Sequence, residues 1–237
     1  MQAPDQLRGL AVTRSPSLLY AGPFVIFVLL LPLQRMSTLP ALWLNAAYVV
    51  VMLLVLAAVW RRIPELQPGK LAVRHWLGTL GIGVFVFVAW VGPDRLFPNY
   101  HHNVLFENSL LGSTTAGLAE AARSQPAVLW LRAFRAVIIV PIVEELFWRA
   151  WLMRWLIGPD FLSIPLGTWS AQAFWIVAVL FALEHGSLWD AGLVAGVLYN
   201  WWIVRTKSLG DLILVHAISN ACIGIYVVAA GRWEYWS

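Results

Sequence analysis

Long apolar runs fill most of this chain and limit it to one kind of fold. A helix needs about 20 mostly apolar residues to cross the hydrocarbon core of a bilayer, which is about 30 Å thick. Runs of this kind recur along the chain, at residues 17–33, 41–60, 73–91, 127–157, 170–185, 188–204 and 209–230. They predict an all-α fold, a polytopic membrane helical bundle with seven to eight transmembrane helices, the eighth arising if the fourth run divides.

The composition agrees with a membrane protein and excludes other classes. Hydrophobic residues make up 60% of the 237 residues and charged residues 12%, whereas soluble domains average about 45–50% and about 25%. So few charges cannot cover a water-exposed surface. The net charge of +4 does not indicate nucleic-acid binding, because the basic residues lie at the ends of apolar runs. The one cysteine, Cys222, excludes an internal disulfide and a multi-cysteine metal site.

The distribution of basic residues predicts the orientation, because the cytoplasmic ends of membrane helices carry more lysine and arginine. If the N-terminus lies inside and each run crosses once, the inside ends hold Arg8, Arg14, Arg61, Arg62, Lys70, Arg74, Arg149, Arg154, Arg205 and Lys207. The outside ends hold Arg35, Arg95, Arg123 and Arg232, with Arg132 and Arg135 near the outer end of the fourth run. We therefore expect a bacterial inner (plasma) membrane protein with a cytoplasmic N-terminus. No small-residue cleavage site follows the first run, so it is interpreted as a retained span.

The fourth apolar run is too long for a single crossing. At 1.5 Å per residue, residues 127–157 would extend about 46 Å, and Pro141 near the middle would kink or break a helix. Before it, the longest polar stretch is interpreted as an outer loop with a short surface helix that ends in Glu120–Arg123. The chain therefore divides into N-terminal helices with an outer loop (1–126) and a second group of helices (127–230), in a single integral membrane unit.

Two adjacent glutamates stand inside the fourth run, where ionisable groups cost about 2.5–3.5 kcal/mol each on insertion scales. Glu145 and Arg149 are four residues apart and can form an ion pair on one helix face. Glu144 is turned about 100° away and has no local partner. An unpaired carboxylate in a low-dielectric site suits a general base. The alternative is a structural Glu–Arg pair between helices, to which a second glutamate would add only cost.

Two further motifs place polar groups in later apolar runs. Glu184 and His185 end the fifth run, and the second motif is His216 with Asn220 in the last run. Each motif alone is typical of interfacial or helix–helix hydrogen bonding. His216 and Asn220 lie four residues apart on one helix face, so both could bind a single atom. Together with the glutamates, these groups could activate a water and stabilise an oxyanion. Two histidines and a carboxylate would also match the ligand count of a zinc site, but no HExxH spacing is present, so we expect no metal and no cofactor.

Other polar and small residues have simpler interpretations. His101 and His102 belong to the outer loop, where neighbouring histidines are usually solvated, and His75 lies at the start of a span. Gly192 and Gly196 form a small-xxx-small pattern that lets two membrane helices approach closely. None of these residues is assigned to the predicted site.

The ordered motifs resemble a known family. Glu144-Glu145-x-x-x-Arg149, Phe181-x-x-x-His185 and His216-x-x-x-Asn220 are similar to the motifs of the CPBP intramembrane proteases, relatives of the Rce1-type CAAX prenyl endopeptidases that are also called the Abi family. The resemblance covers residues 129–229, including a basic turn at 205–216. The stretch at residues 90–98 resembles CAAX-protease-related proteins that accompany bacterial exosortase systems.

This resemblance implies a glutamate-dependent intramembrane endopeptidase with its catalytic core at residues 127–230. By matching positions, Glu144 would activate the attacking water with help from His185. His216 and Asn220 would stabilise the oxyanion of the tetrahedral intermediate. Because Glu144 lies mid-span and His185 lies near the end of a run, the fifth helix would have to extend further or tilt for the two to meet.

In the same comparison, Glu145 and Arg149 would hold the catalytic geometry. The expected partners are a membrane protein or lipidated peptide as substrate and the surrounding membrane lipids, with no nucleic acid. A non-catalytic membrane scaffold, such as a bacteriocin self-immunity protein that kept the motifs for packing, is the alternative. A transporter or proton relay is disfavoured, because the two halves show no matching pair of helices broken by glycine or proline.

Overall fold

The computed structural model describes residues 16–112 and 118–236, so Arg8, Arg14 and the side chain of Arg35, which entered the orientation argument, lie outside the described residues. The helices are α1 (Pro16–Met36), α2 (Ala41–Trp60), α3 (Trp76–Leu96), α4 (Glu120–Arg123), α5 (Pro126–Trp155), α6 (Ala171–Glu184), α7 (Trp189–Thr206) and α8 (Leu209–Ala230). Within these two ranges the chain forms no extended strand. The predicted all-α fold is confirmed.

Each of the predicted apolar runs is a helix, and α4 is the short helix expected in the outer polar stretch. Among the described residues, four helices are long and apolar enough to cross a membrane, namely α2, α3, α5 and α8. Shorter apolar helices lie in α1 and α6. The protein is therefore an integral membrane protein. Because α5 is one continuous helix, the division that would have given an eighth crossing does not occur.

The helix α5 passes through Pro141 by changing its hydrogen-bond register. The backbone N–H of Val140 donates to the carbonyl of Arg135, five residues earlier, and a second π-helical stretch follows at Leu146–Leu152. Such π-turns accommodate an extra residue and are frequent at functional sites. The break allowed for at Pro141 is therefore not observed, because the wider turn absorbs the missing N–H of the proline.

Contacts between distant segments define two ends of the bundle. Arg154 pairs with Glu65 at 2.7 Å, and Asp211 accepts hydrogen bonds from the backbone N–H groups of Arg74 and His75. The end formed by these contacts is called the basic end, and its basic residues are Arg61, Arg62, Lys70, Arg74, Arg154, Arg205 and Lys207. The opposite end, called the loop end, carries residues 97–112 and the chain beyond α8. The helices α5 and α7 run toward the basic end, whereas α3, α6 and α8 run toward the loop end.

Glycines hold two pairs of helices in the bundle at close distance. A Cβ atom on Gly196 would lie 3.1 Å from the carbonyl oxygen of Ala178, and one on Gly192 would lie 3.0 Å from Nδ1 of His185. The pair therefore packs α7 against α6, as the small-xxx-small pattern predicted. A Cβ atom on Gly83 would likewise meet α8. The close packing of α6 against α7 fixes where His185 lies.

A buried histidine fastens the loop at residues 97–112 to the helices. In His101, Nδ1 lies 2.7 Å from Oδ2 of Asp94 at the end of α3, and Nε2 lies 3.0 Å from Oδ1 of Asp190 at the start of α7. Only 1% of His101 is exposed. The interpretation of His101 as solvated is therefore wrong, because two carboxylates from distant helices meet at this loop. His102 is exposed, as expected.

The contacts of His101 predict that the stability of the folded protein depends on pH. Burial alone would lower the pKa of His101, but the hydrogen bonds and charges of Asp190 and Asp94 outweigh burial and raise it. The resulting stabilisation is fully present below the unfolded-state pKa of about 6.5 and is lost as the pH rises through the higher folded-state pKa. In thermal unfolding in detergent, we expect the advantage of the wild type over His101→Gln to be greatest at acidic pH and to shrink as the pH rises.

The control for this experiment is His102→Gln. His102 is the neighbouring histidine, its side chain is 53% exposed and its carboxylate partner is Glu107, at 3.3 Å. It should change the unfolding midpoint little at any pH. A difference between the wild type and His101→Gln that stays constant across the pH range would contradict the assigned role of a charged His101.

Candidate active site

The side chains of the three predicted motifs meet around the ring of Phe181. The central carbon of the Arg149 guanidinium lies 4.4 Å from the centroid of this ring. The imidazole centroids of His185 and His216 lie 4.7 Å and 6.3 Å from the same ring. The helices α5, α6 and α8 therefore bring their motifs together inside the bundle.

Glu145 is the centre of a charged network. Its carboxylate lies 3.1 Å from Nη1 of Arg149, which confirms the predicted ion pair. Its Oε1 atom lies 2.8 Å from Nδ1 of His216, and none of Glu145 is exposed. Because a carboxylate at this position accepts, Nδ1 of His216 carries the hydrogen. The other ring nitrogen of His216 therefore faces the remaining polar group of the site, Glu144.

Asn200, which the sequence analysis missed, completes this network. Nε of Arg149 donates to Oδ1 of Asn200 at 2.8 Å, and Nη2 of Arg149 donates to the carbonyl of Gly196 at 3.4 Å. Nδ2 of Asn200 donates in turn to the carbonyl of Phe174 at 2.8 Å, which fixes the orientation of the amide. An asparagine inside the apolar run at 188–204 was the available signal, because an unpaired amide there would be costly.

Glu144 is buried beside the network but is not satisfied by it. Only 6% of the residue is exposed, and its Oε2 atom has no hydrogen-bond partner among the described residues. Nε2 of His216 lies 3.9 Å from this oxygen, which is beyond hydrogen-bond distance. The prediction that Glu144 lacks a local partner is confirmed. A buried oxygen of this kind can accept a hydrogen from a bound water.

His185 lies at the carboxyl end of α6. In the neutral ring, Nδ1 donates to the carbonyl of Phe181 at 2.7 Å, so Nε2 is left to accept a hydrogen. The helix α6 has 14 residues, about 21 Å at 1.5 Å per residue, and is shorter than the hydrocarbon core. His185 therefore lies inside the bundle, near the same ring as His216. The expected extension of this helix is not observed, since α6 ends at Glu184, and its tilt stays an expectation.

Asn220 and His216 have separate partners, although a shared one was expected from their positions on one face of α8. Nδ2 of Asn220 donates to the carbonyl of Ala136 at 2.8 Å. This carbonyl lies five residues before Pro141, so the backbone donor that a π-turn would supply is missing. Asn220 therefore joins α8 to the irregular part of α5 and keeps a second amide N–H for a ligand.

Two further contacts complete the surroundings of the site. The hydroxyl of Tyr199 lies 2.6 Å from Oγ of Ser219, which itself donates to the backbone carbonyl of His216, and the ring of Tyr199 lies 5.1 Å from that of His216. At the edge of the site, Glu184 is exposed, and its carboxylate accepts a hydrogen bond of 3.2 Å from Nε1 of Trp148. Glu184 thus lies where the site meets the surface of the helix bundle.

The described residues contain no group of three or more His, Cys, Asp or Glu side chains arranged to hold a metal ion. Some groups of the site that could bind a metal already have hydrogen-bond partners, since the carboxylate of Glu145 is shared between Arg149 and His216. That the protein needs no cofactor stays a prediction.

Comparison with known families gives one match. Residues 126–222 match the family model described as Type II CAAX prenyl endopeptidase Rce1-like. This part of the chain is similar to the Rce1-like CAAX proteases and is called the Rce1-like region. The resemblance stated from the three motifs is therefore confirmed, and the Rce1-like region includes every residue predicted for the site, from Glu144 to Asn220. No curated protein matches the chain, and no solved structure does. The link to exosortase-associated proteins stays a prediction.

The ion pair in the Rce1-like region makes a prediction about stability. Arg149→Met strands the buried carboxylate of Glu145, and we expect the free energy of unfolding to fall by about 3–5 kcal/mol. The double variant Glu145→Gln with Arg149→Met strands no charge, so its loss should be smaller than the sum of the two single losses. Denaturant unfolding of the purified protein in detergent measures all three variants.

The matched control is Arg62→Met, which removes an exposed arginine at the basic end and should change the unfolding free energy by less than about 0.5 kcal/mol. Strictly additive losses in the double variant would show that Glu145 and Arg149 do not depend on each other, and would refute the network described above.

Proposed function

We propose that this protein is an intramembrane endopeptidase in which Glu144 activates a water for attack on a peptide bond. The observation that carries the proposal is the buried carboxylate of Glu144, whose Oε2 atom has no hydrogen-bond partner among the described residues. An ionisable group retained in such a setting is costly and marks function. The Rce1-like region indicates a peptidase. A general base for hydrolysis accounts for both observations.

In the proposed reaction, Glu144 acts first as a base and then as an acid. A water held between Glu144 and Nε2 of His185 gives a proton to Glu144 as its oxygen forms a bond to the substrate carbonyl carbon. The tetrahedral intermediate then collapses, the C–N bond breaks, and Glu144 returns the proton to the leaving amine. The two products are a new carboxyl terminus and a new amino terminus.

The oxyanion of the intermediate would be stabilised by donors from α8. Nδ1 of His216 donates to Glu145, so Nε2 lies on the side of Glu144, and in the doubly protonated ring Nε2 donates a hydrogen bond to the oxyanion. The second amide N–H of Asn220 is a further donor. Losing one such donor typically costs about 3–4 kcal/mol in the barrier. Arg149 would contribute indirectly, because its ion pair holds Glu145 in position.

We further propose that the mechanism uses no metal and that the substrate is a membrane-anchored or C-terminally processed protein, or a lipidated peptide. The site lies among helices that cross the membrane, so a substrate reaches it from lipid or from the membrane surface. The proposed location is a bacterial inner membrane with the N-terminus in the cytoplasm. The distribution of basic residues favours this orientation.

The test compares protein termini in membranes from cells that carry the wild type or Glu144→Gln at matched protein levels. A lost general base typically lowers the rate by about 10²–10⁴-fold. Peptide termini that are present with the wild type should therefore be absent or strongly reduced with Glu144→Gln. His185→Gln and His216→Gln should reduce the same termini.

Glu120→Gln is the control, because Glu120 is an exposed glutamate on α4 and lies outside the site. It should leave the termini unchanged, and so should a chelator of divalent metal ions. Identical termini in the wild type and Glu144→Gln, with both proteins folded, would favour the scaffold alternative. Loss of cleavage on chelation would refute the metal-free mechanism while leaving the peptidase in place.

A further inference from the structure

The site is more exposed on the side that faces the loop end. On α6, which runs toward that end, Phe181 is buried, whereas Glu184 is exposed and His185 is partly exposed. On α8, which runs the same way, His216 is buried and Asn220 is partly exposed. Among the site residues on these two helices, those nearer the loop end are therefore the more exposed. This difference among the site residues indicates the direction in which the site opens.

On the side of the basic end, the charged network closes the space between α5 and α7. Arg149 lies further toward the basic end than Glu144 on α5, and it is 1% exposed. Asn200 lies toward the same end of α7 and is 0% exposed. Since their hydrogen bond of 2.8 Å joins α5 to α7, a peptide could approach Glu144 between these two helices only by breaking the network.

The opening toward the loop end leads to water. Glu184 is exposed there, and a carboxylate exposed to hydrocarbon would be costly. The loop at residues 97–112 packs directly over the turn between α6 and α7. Nε1 of Trp189 donates to the carbonyl of Leu105 at 3.4 Å, and a Cβ atom on Gly186 would lie 2.8 Å from the carbonyl oxygen of Leu111. This loop therefore borders the opening.

The charges of the two ends assign them to opposite sides of the membrane. The exposed basic residues of the basic end are Arg61, Arg62, Lys70, Arg74, Arg205 and Lys207. Among the described residues, the loop end has half as many basic residues near its surface, namely Arg95, Arg123 and Arg232, while Arg132 is buried against Trp236. Arg149, which the sequence analysis counted at an inside end, belongs to neither end because it is buried in the site. The positive-inside bias therefore makes the basic end cytoplasmic.

We infer that the active site opens on the extracytoplasmic side of the membrane, so that its substrates are proteins whose scissile bond lies where a membrane-anchored segment emerges on that side. The part of this inference that concerns substrates rests on the proposed function. The part that concerns the opening rests on exposure and charge alone. The two parts can therefore be tested separately.

The opening is tested by cysteine labelling in a background without the native thiol, Cys222→Ala. Single cysteines are introduced by Glu184→Cys at the opening, Leu110→Cys on the loop and Lys70→Cys at the basic end, all at exposed positions. A membrane-impermeant maleimide is applied to spheroplasts and to inside-out vesicles. We expect Glu184→Cys and Leu110→Cys to react several-fold more in spheroplasts, and Lys70→Cys to react several-fold more in inside-out vesicles.

The matched control is Leu183→Cys, because Leu183 precedes Glu184 and is also exposed, at 56%, but is apolar. It should react on neither side if its exposure is to lipid. Reaction of Glu184→Cys from the same side as Lys70→Cys would overturn the inference. Failure of Glu184→Cys to react from either side, while Leu110→Cys reacts in the same membranes, would also overturn it, since the site would then open to lipid.

The substrate part is tested by the positions of the termini that depend on Glu144. They should lie in segments on the extracytoplasmic side of their proteins, close to a membrane span. Termini in cytoplasmic segments would overturn this part. An absence of any Glu144-dependent termini would instead refute the proposed function and leave the labelling result standing.

Discussion

The buried guanidinium of Arg149 is the group on which the rest of this structure depends. A cation inside a membrane bundle is tolerated only when its donors have partners, and here the partners come from two helices. Glu145 supplies the counter-charge, Asn200 supplies an amide oxygen, and the ring of Phe181 covers one face. Since Glu145 also holds His216, the need to satisfy one buried charge fixes the positions of groups on α5, α6, α7 and α8.

The irregular backbone of α5 serves the same site. A regular helix would have no unpaired carbonyl near its middle, and Asn220 would then have no acceptor on α5. Pro141 removes one N–H, the π-turn before it shifts the register, and the carbonyl of Ala136 becomes the acceptor for the Asn220 amide. The carbonyl left unpaired by the irregular turn of α5 thus forms a hydrogen bond to α8. Three residues after Pro141, the chain reaches Glu144.

How far the sequence predicts this structure depends on the range of the interaction. The helices can be predicted from the apolar runs, because the preference of each residue for lipid does not depend on distant parts of the chain. The Glu145–Arg149 pair can be predicted from its spacing of four residues. Asn200 was missed because its partners, Arg149 and the carbonyl of Phe174, come from other helices. His101 was misjudged for the same reason. The contact of Asn220 with the carbonyl of Ala136 was missed as well, because it joins α8 to α5.

The shortness of α6 has a consequence for the bilayer around it. A helix of about 21 Å beside a hydrocarbon core of about 30 Å leaves a hydrophobic mismatch, which lipids relieve by thinning locally at a modest cost per Å. Next to α6 the membrane would then be at its thinnest where His185 ends the helix. The backbone N–H and C=O groups of an extended peptide find no hydrogen-bond partners in hydrocarbon. A thinned bilayer shortens the distance over which a substrate peptide would lack these partners.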